Sequence, residues 1–263
     1  MKGLITFTAA LAFSGVHAGY SQSTKTLSHS YTNVRVVKLD ASGECKIERS
    51  PDDDLSIGLT YSYPEGEIIN SFDQAGDSLW VHQKYHAPSV KNDGRWTITI
   101  PDNCRVRIVS ANGPVLIRQI HADVDAVTAS GDIAVNGARG VFRLTTHKGS
   151  IDIQNTDLSG PSWLTSSKGD IRVTASATLT QDLNLVTGSG DVELHLNKYP
   201  FHGSIQATAN KKHGRIRIPF SNPAVNEDHE NRDILVHQSY LVSTAEPVIT
   251  LRSSDGSVVI ERQ

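Results

Sequence analysis

Three aspartates, Asp132, Asp170 and Asp191, each directly follow a glycine, and a line of carboxylates of that kind could hold calcium or serve glycoside chemistry. A calcium site needs several oxygen ligands converging on one ion, and calcium-binding nonapeptide repeats carry a denser Gly-Asp signature than this one. Ser150 and Arg215 occupy the same position in sister segments and break the line. The expected role is therefore structural, with each aspartate bonding nearby backbone at a turn. Pro51-Asp52-Asp53-Asp54 reads as a solvated loop. His82 and His86 stand four apart, but Leu79-Trp80-Val81 reads as strand, and neither they nor His147, His195, His202 or His213 are spaced with Cys or acids as metal ligands are. The chain has no Gly-x-Ser-x-Gly elbow, no P-loop and no dinucleotide fingerprint. Trp80, Trp96 and Trp163 could stack on sugars; strand parity places Trp163 outward and assigns the other two to core or cap packing. No catalytic residue, cofactor or metal is implied.

Cys45 and Cys104 are the only two cysteines. Cys45 stands two residues after Gly43, and Cys104 shares the parity of Val106 and Ile108, so both are expected to point inward. A disulfide between them is expected if the chain is exported, and closing so long a loop would contribute about 4 kcal/mol.

These residues sit in a repeat. Gly113, Gly131, Gly149, Gly169, Gly190 and Gly214 are separated by 18, 18, 20, 21 and 24 residues, and Gly256 follows after 42. Two residues after each glycine stand Val115, Ile133, Ile151, Ile171, Val192, Ile216 and Val258; four after stand Ile117, Val135, Ile153, Val173, Leu194, Ile218 and Ile260. Ahead of the glycine the alternation continues, with Ile108, Ala126, Leu144, Leu164, Leu185, Ala209 and Leu251 five residues before it. Such period-2 patterning marks half-buried strands on both sides of a glycine corner. Three before the glycine stand Ser110, Thr128, Thr146, Ser166, Thr187, Lys211 and Ser253, and a hydroxyl at core parity can bond turn backbone or the next copy.

Two architectures accommodate this pattern. The preferred one is an all-β, single-stranded β-solenoid with coils of about 20 residues, in which equivalent strands stack in parallel. The alternative is a meander of hairpins, which needs alternation but gives no reason for hydroxyls at one fixed offset. In the solenoid, Asp152, Arg172, Glu193 and Arg217, each three residues after a corner glycine, would form an outward ladder of alternating charge. Residues 34–105 read as an irregular N-terminal β cap, 106–263 as the repeats, 19–33 as a loose polar segment, and 219–233 as a mobile, partner-facing loop.

Met1 and Lys2, the apolar run Leu4–Phe13 and the sequence Val16-His17-Ala18 form the three parts of a signal peptide cleaved after Ala18. No later segment approaches the length of a transmembrane helix. With 25 Lys+Arg against 28 Asp+Glu and a net charge of −3, the chain has no general pull on nucleic acid.

The run Trp96 to Ile108, followed by the Ser/Thr, Gly-Asp and alternating Ile/Val pattern, resembles the bacterial adhesin-like β-solenoid domain family of unknown function. The resemblance spans about Val34 to Gln263 and departs at Asn222–Arg232 and at Lys211. It implies an exported or envelope protein with no catalytic residues to carry over. The expected function is a noncatalytic, periplasmic or secreted adhesin-like surface for an envelope protein or glycan. A polysaccharide lyase or hydrolase on a β-helix is the alternative, and it would need paired carboxylates across one groove.

Overall fold

The computed structural model describes residues 24–62, 68–85, 94–196, 201–230, 233–243 and 246–262; the leader expected over 1–18 and His86 lie outside them. Alternating sequence becomes strand throughout. The N-terminal part forms β1 (Lys25–Tyr31), β2 (Val36–Ala41), β3 (Glu44–Arg49), β4 (Leu55–Tyr61), β5 (Ile68–Ala75), β6 (Ser78–Tyr85) and β7 (Arg95–Ile100). The repeats then supply β8 (Cys104–Ser110), β9 (Val115–Arg118), β10 (Ala122–Ser130), β11 (Ile133–Asn136), β12 (Arg139–Gly140), β13 (Phe142–Lys148), β14 (Ile151–Leu158), β15 (Ser162–Lys168), β16 (Ile171–Ala175), β17 (Leu183–Ser189) and β18 (Val192–Leu196). The C-terminal part adds β19 (Ser204–Asn210), β20 (Ile216–Arg217), β21 (Ala224–Glu230), β22 (Asp233–Leu241), β23 (Val248–Asp255) and β24 (Val258–Arg262).

Each glycine corner joins a strand of one large sheet to a strand of another. Sheet I runs β1-β4-β7-β3-β9-β11-β14-β16-β18-β24-β20, with β12 beside β14, and sheet II runs β21-β22-β19-β23-β17-β15-β13-β10-β8-β2-β6-β5. The expectation of a single-stranded solenoid is therefore corrected to two sheets. The physical reason is the corner itself: inward side chains on both of its arms are apolar, so folding the arms together buries both faces at once. Neighbouring copies pair in parallel, so Val115, Ile133, Ile151, Ile171, Val192 and Val258 lie in one row, each buried and worth roughly 1.5–3 kcal/mol relative to exposure.

The glycine row requires glycine. At Gly149 and Gly169, φ is +153° and +143°, and an added Cβ would lie under 3.0 Å from the carbonyl of the glycine in the preceding coil. Side chains on either side of this row tie the coils together. Thr146, Ser166, Thr187 and Ser253 donate to the carbonyls of Gly131, Gly149, Gly169 and Gly190 at 3.0, 2.9, 2.8 and 2.7 Å. Immediately after the glycines, Asp132 accepts from the Ser150 amide, Ser150 Oγ from that of Asp170, Asp170 from that of Asp191 and Asp191 from that of Ser257, at 2.7–3.2 Å. The aspartates thus bond backbone in the next coil rather than in their own turn, and serine at 150 continues the rail because its hydroxyl also accepts.

Coil order in space departs from chain order at both ends. Gly43 stacks on Gly113, so β2 and β3 form a regular coil within the segment expected to be an irregular cap. The C-terminal pair β23 and β24 inserts between β17/β18 and β19/β20, and Gly214 therefore lies against Gly256. In that outer coil Ala209, not Lys211, aligns with Ser253, while Lys211 pairs with Glu227 at 2.8 Å. The segment expected to be a loop contains β21, which pairs antiparallel with β22 over Ala224–Glu230; residues 25–31 of the segment expected to be loose form β1, paired with β4. Antiparallel strands thus finish both sheets at the N-terminal end and sheet II at the C-terminal end, covering edges that parallel coils would leave open, while sheet I ends in the short parallel β20.

Candidate binding face

The outer face of sheet II carries the strongest concentration of exposed aromatic and cationic groups. Strand parity turns Trp80, Lys38, Arg107, Asp125, Arg143 and Trp163 outward, and in-register pairing of β6, β2, β8, β10, β13 and β15 sets them side by side in one row across the strands. Trp80 and Trp163 are each 41% exposed. Lys38 Nζ lies 5.3 Å from the Trp80 ring centroid and the Arg143 guanidinium 5.1 Å from that of Trp163, distances at which the ring quadrupole attracts a cation. Arg107 approaches Asp125 at 3.9 Å. Val109 and Val127, paired with each other in the neighbouring row, are 38% and 37% exposed.

Beside this row lies a trough of about 710 Å³ lined by Arg35, Arg105, His121, Asp123 and Arg139, continuous through Arg105 and Asp123 with a second groove that reaches Lys38, Arg107 and Arg143. Asp123, which lines it, and the carboxylates paired with or beside its lining residues have structural partners. Asp102 pairs with Arg49 and lies 3.6 Å from His121; Asp123 accepts from the Val141 amide at 3.1 Å; Arg139 pairs with Asp157 at 3.3 Å. Among the described residues, Lys38, Arg105 and Arg143 have no carboxylate within 4.0 Å, and no group of three or more His, Cys, Asp or Glu is placed to hold a metal. No helix of the described residues is long and apolar enough to cross a membrane.

Trp163 faces outward and Trp96 is fully buried. Trp80, assigned to packing from its sequence, is exposed, because β6 pairs with β2 and turns that parity to the outside of sheet II. Sequence reasoning did not single out Lys38, Arg107, Asp125 and Arg143. The available signal is the position six before the first four repeat glycines, which reads Arg107, Asp125, Arg143 and Trp163; only the pairing of distant strands adds Lys38 and Trp80.

The charge series on sheet I is brought together in part. Asp152 aligns with Arg172 and Arg172 with Glu193, and Arg172 Nε donates to Glu193 at 2.6 Å. Glu193, however, aligns with Val259, and so does Arg217. The inserted C-terminal coil therefore separates Glu193 from Arg217, which corrects the four-member ladder. The hydrogen bond from Arg172 holds the Glu193 carboxyl below its ordinary 4.5. Because the folded value is the depressed one, the pair contributes above pH 4.5 and its contribution is lost as pH falls through the folded value. Exposed pairs contribute about 0.2–1 kcal/mol. Arg172→Glu is therefore expected to lower Tm at low salt and neutral pH by roughly 1–4 °C, with partial recovery at high salt. Melting curves at two ionic strengths check this, and an unchanged low-salt Tm refutes it.

The expected Cys45–Cys104 bridge is not formed; both cysteines are free and buried. Cys45 aligns with Val115 beside the corner, whereas Cys104 aligns with Ala122 at the far end of its strand, roughly 20 Å of extended chain before Ser110. Parity gave the inward direction of both side chains correctly but carried no information about position along the strand. Burial raises the Cys45 thiol to about 12 and the Cys104 thiol to about 11. Both should therefore stay protonated at pH 8 and resist a thiolate-specific reagent in the native protein, reacting only after denaturation. Rapid native labelling of either thiol would contradict their burial.

No curated protein matches the chain. Among solved structures, it is similar to a candidate adhesin from Bacteroides fragilis, with TM-score 0.44 and 14% identity over 93% of this chain and 100% of the other. It is also similar to a candidate adhesin from Parabacteroides distasonis, with TM-score 0.42 and 12% identity over 91% and 98%. A candidate cell adhesion protein from Clostridium sporogenes gives TM-score 0.36 and 10% identity over 92% and 100%. The family model for Toastrack DUF4097 matches residues 106–261, from the glycine-corner repeat on β8 to β24, and the chain belongs to that family.

Proposed function

We propose that the protein is an exported, noncatalytic binding protein of the cell envelope, adhesin-like in role, whose contact surface is the outer face of sheet II between Trp80 and Trp163. The observation that carries this reading is the in-register row of exposed tryptophans and cations on a sheet whose coils are tied by backbone and side-chain hydrogen bonds. A rigid face of this kind binds without reorganising, so little ordering entropy opposes association. Export is supported by the leader-like first 18 residues. Asp123 in the trough and Asp102 beside its His121 serve the Val141 amide and Arg49, which favours binding over glycoside chemistry.

Intact-mass analysis of the exported protein should give a chain beginning at Gly19, and the mature protein should be retained by washed envelope material. Trp80→Ala/Trp163→Ala should abolish retention while leaving Tm within a few degrees. Equal retention of wild type and double variant, or a retained leader, would overturn the corresponding half of the reading.

A further inference from the structure

We infer that the row from Trp80 to Trp163 is a binding track for a linear carboxylated polysaccharide lying across the strands of sheet II; this deepens the binding-face reading and rests on it. A uronic acid ring presents an apolar C–H face and, at its edge, an anionic carboxylate. The row offers the complement twice: an exposed indole with an ammonium over its ring at Trp80–Lys38, and an exposed indole with a guanidinium over its ring at Trp163–Arg143. An aromatic face attracts C–H bonds through its negative quadrupole, and a guanidinium can hold a carboxylate through two parallel hydrogen bonds.

The two pairs stand at opposite ends of six adjacent strands, five steps apart, or about 24 Å. A single small anion would engage only one pair. An extended chain of several sugar rings can reach both, so the two weak contacts act together. Between the ends, Arg107 is the central cation; its approach to Asp125 at 3.9 Å is too long for a direct hydrogen bond, which leaves its donors available. Arg105, without a carboxylate within 4.0 Å among the described residues, opens onto both grooves beside the track. The excess of cation over acid along the row selects an anionic chain over a neutral one, and the indoles select a ring over a flexible polyanion.

The outer face of sheet I offers no comparable surface. Arg172 there is already bonded to Glu193, and His195 sits between Glu193 and Glu261 at 3.6 and 3.4 Å. These groups satisfy one another, and the exposed tryptophans lie on sheet II.

Polygalacturonate is a suitable probe because methyl esterification removes its charge without changing its backbone. The mature protein should bind immobilised polygalacturonate, at least about tenfold more weakly its methyl ester, and at least about tenfold more weakly polyglutamate. Trp163→Ala and Arg143→Gln should each weaken binding to polygalacturonate by about tenfold or more, and raising salt should weaken the wild type. Arg172→Gln on sheet I should leave binding unchanged. Equal binding to the methyl ester or to polyglutamate overturns the assignment, as does binding that survives both sheet II variants in folded protein. Absence of polygalacturonate binding also overturns it. If envelope retention is then still lost in Trp80→Ala/Trp163→Ala, the binding-face reading stands with a protein or neutral glycan as its ligand; if retention is also insensitive to those changes, both fall.

Discussion

Gly169→Ala is expected to destabilise the protein by about 4 kcal/mol, with a fall in Tm of roughly 10 °C. Two costs combine. The backbone at Gly169 has φ +143°, a conformation that residues with a Cβ rarely adopt, and the new methyl would overlap the carbonyl of Gly149. That carbonyl cannot move away cheaply, because it also accepts the hydroxyl of Ser166. Relief would require separating two coils, and with it the parallel pairing of β14 with β16 and of β13 with β15. Gly76→Ala is the control. Its φ is +63°, but nothing lies within 4 Å of the added Cβ, so it should cost only about 1–2 kcal/mol. Thermal or chemical denaturation of both variants separates the conformational cost from the cost of close approach. Equal losses would show that stacking contact between the glycines contributes nothing.

The second large effect is expected at Phe142. This side chain is fully buried at the centre of the stack, between Val124 and the shorter Ser162 of the neighbouring coils. Ser162 Oγ accepts from the Phe142 amide at 3.2 Å while donating to the Gly160 carbonyl at 3.1 Å. Phe142→Ala removes the larger member of this pair and should cost about 3–5 kcal/mol through lost transfer energy and a residual cavity. Phe142→Leu retains most of the volume and should cost less than about 1.5 kcal/mol. Equilibrium denaturation curves check the ranking. A small loss for alanine would mean that the coils collapse onto the vacated space, which a continuous hydrogen-bonded stack resists.

Neither substitution touches the outer row on sheet II, so each variant that remains folded should keep its ligand affinity. Trp163→Ala should behave in the opposite way, with little change in stability and a loss of binding. This contrast follows from the alternation of the strands, in which a residue one place along faces the other side of the sheet: Phe142 and Arg143 are neighbours in sequence, one in the core and one in the track.

Much of this protein was determined by local sequence. Alternation of side chains on a strand depends only on backbone geometry, so Ile133, Ile151 and Ile171 could be placed inward and Trp163 outward without coordinates. A fixed offset from each glycine likewise implied that equivalent residues meet, and Thr146, Ser166 and Thr187 each bond the corner of the coil before. Tertiary structure decided what locality does not encode. Both arms of a corner are apolar inward, and only their meeting shows that they belong to two sheets rather than one. The edges of all coils offer similar backbone donors and acceptors, so the insertion of β23 and β24 ahead of β19 and β20 could not be read from spacing, and with it went the adjacency of Glu193 and Arg217. Cys45 and Cys104 share an inward direction but lie at different distances from their corners. The binding row has the same origin: Arg107, Asp125, Arg143 and Trp163 follow one offset through consecutive repeats, whereas Lys38 and Trp80 join them because β2 and β6 dock on the edge of β8, a choice made by long-range pairing.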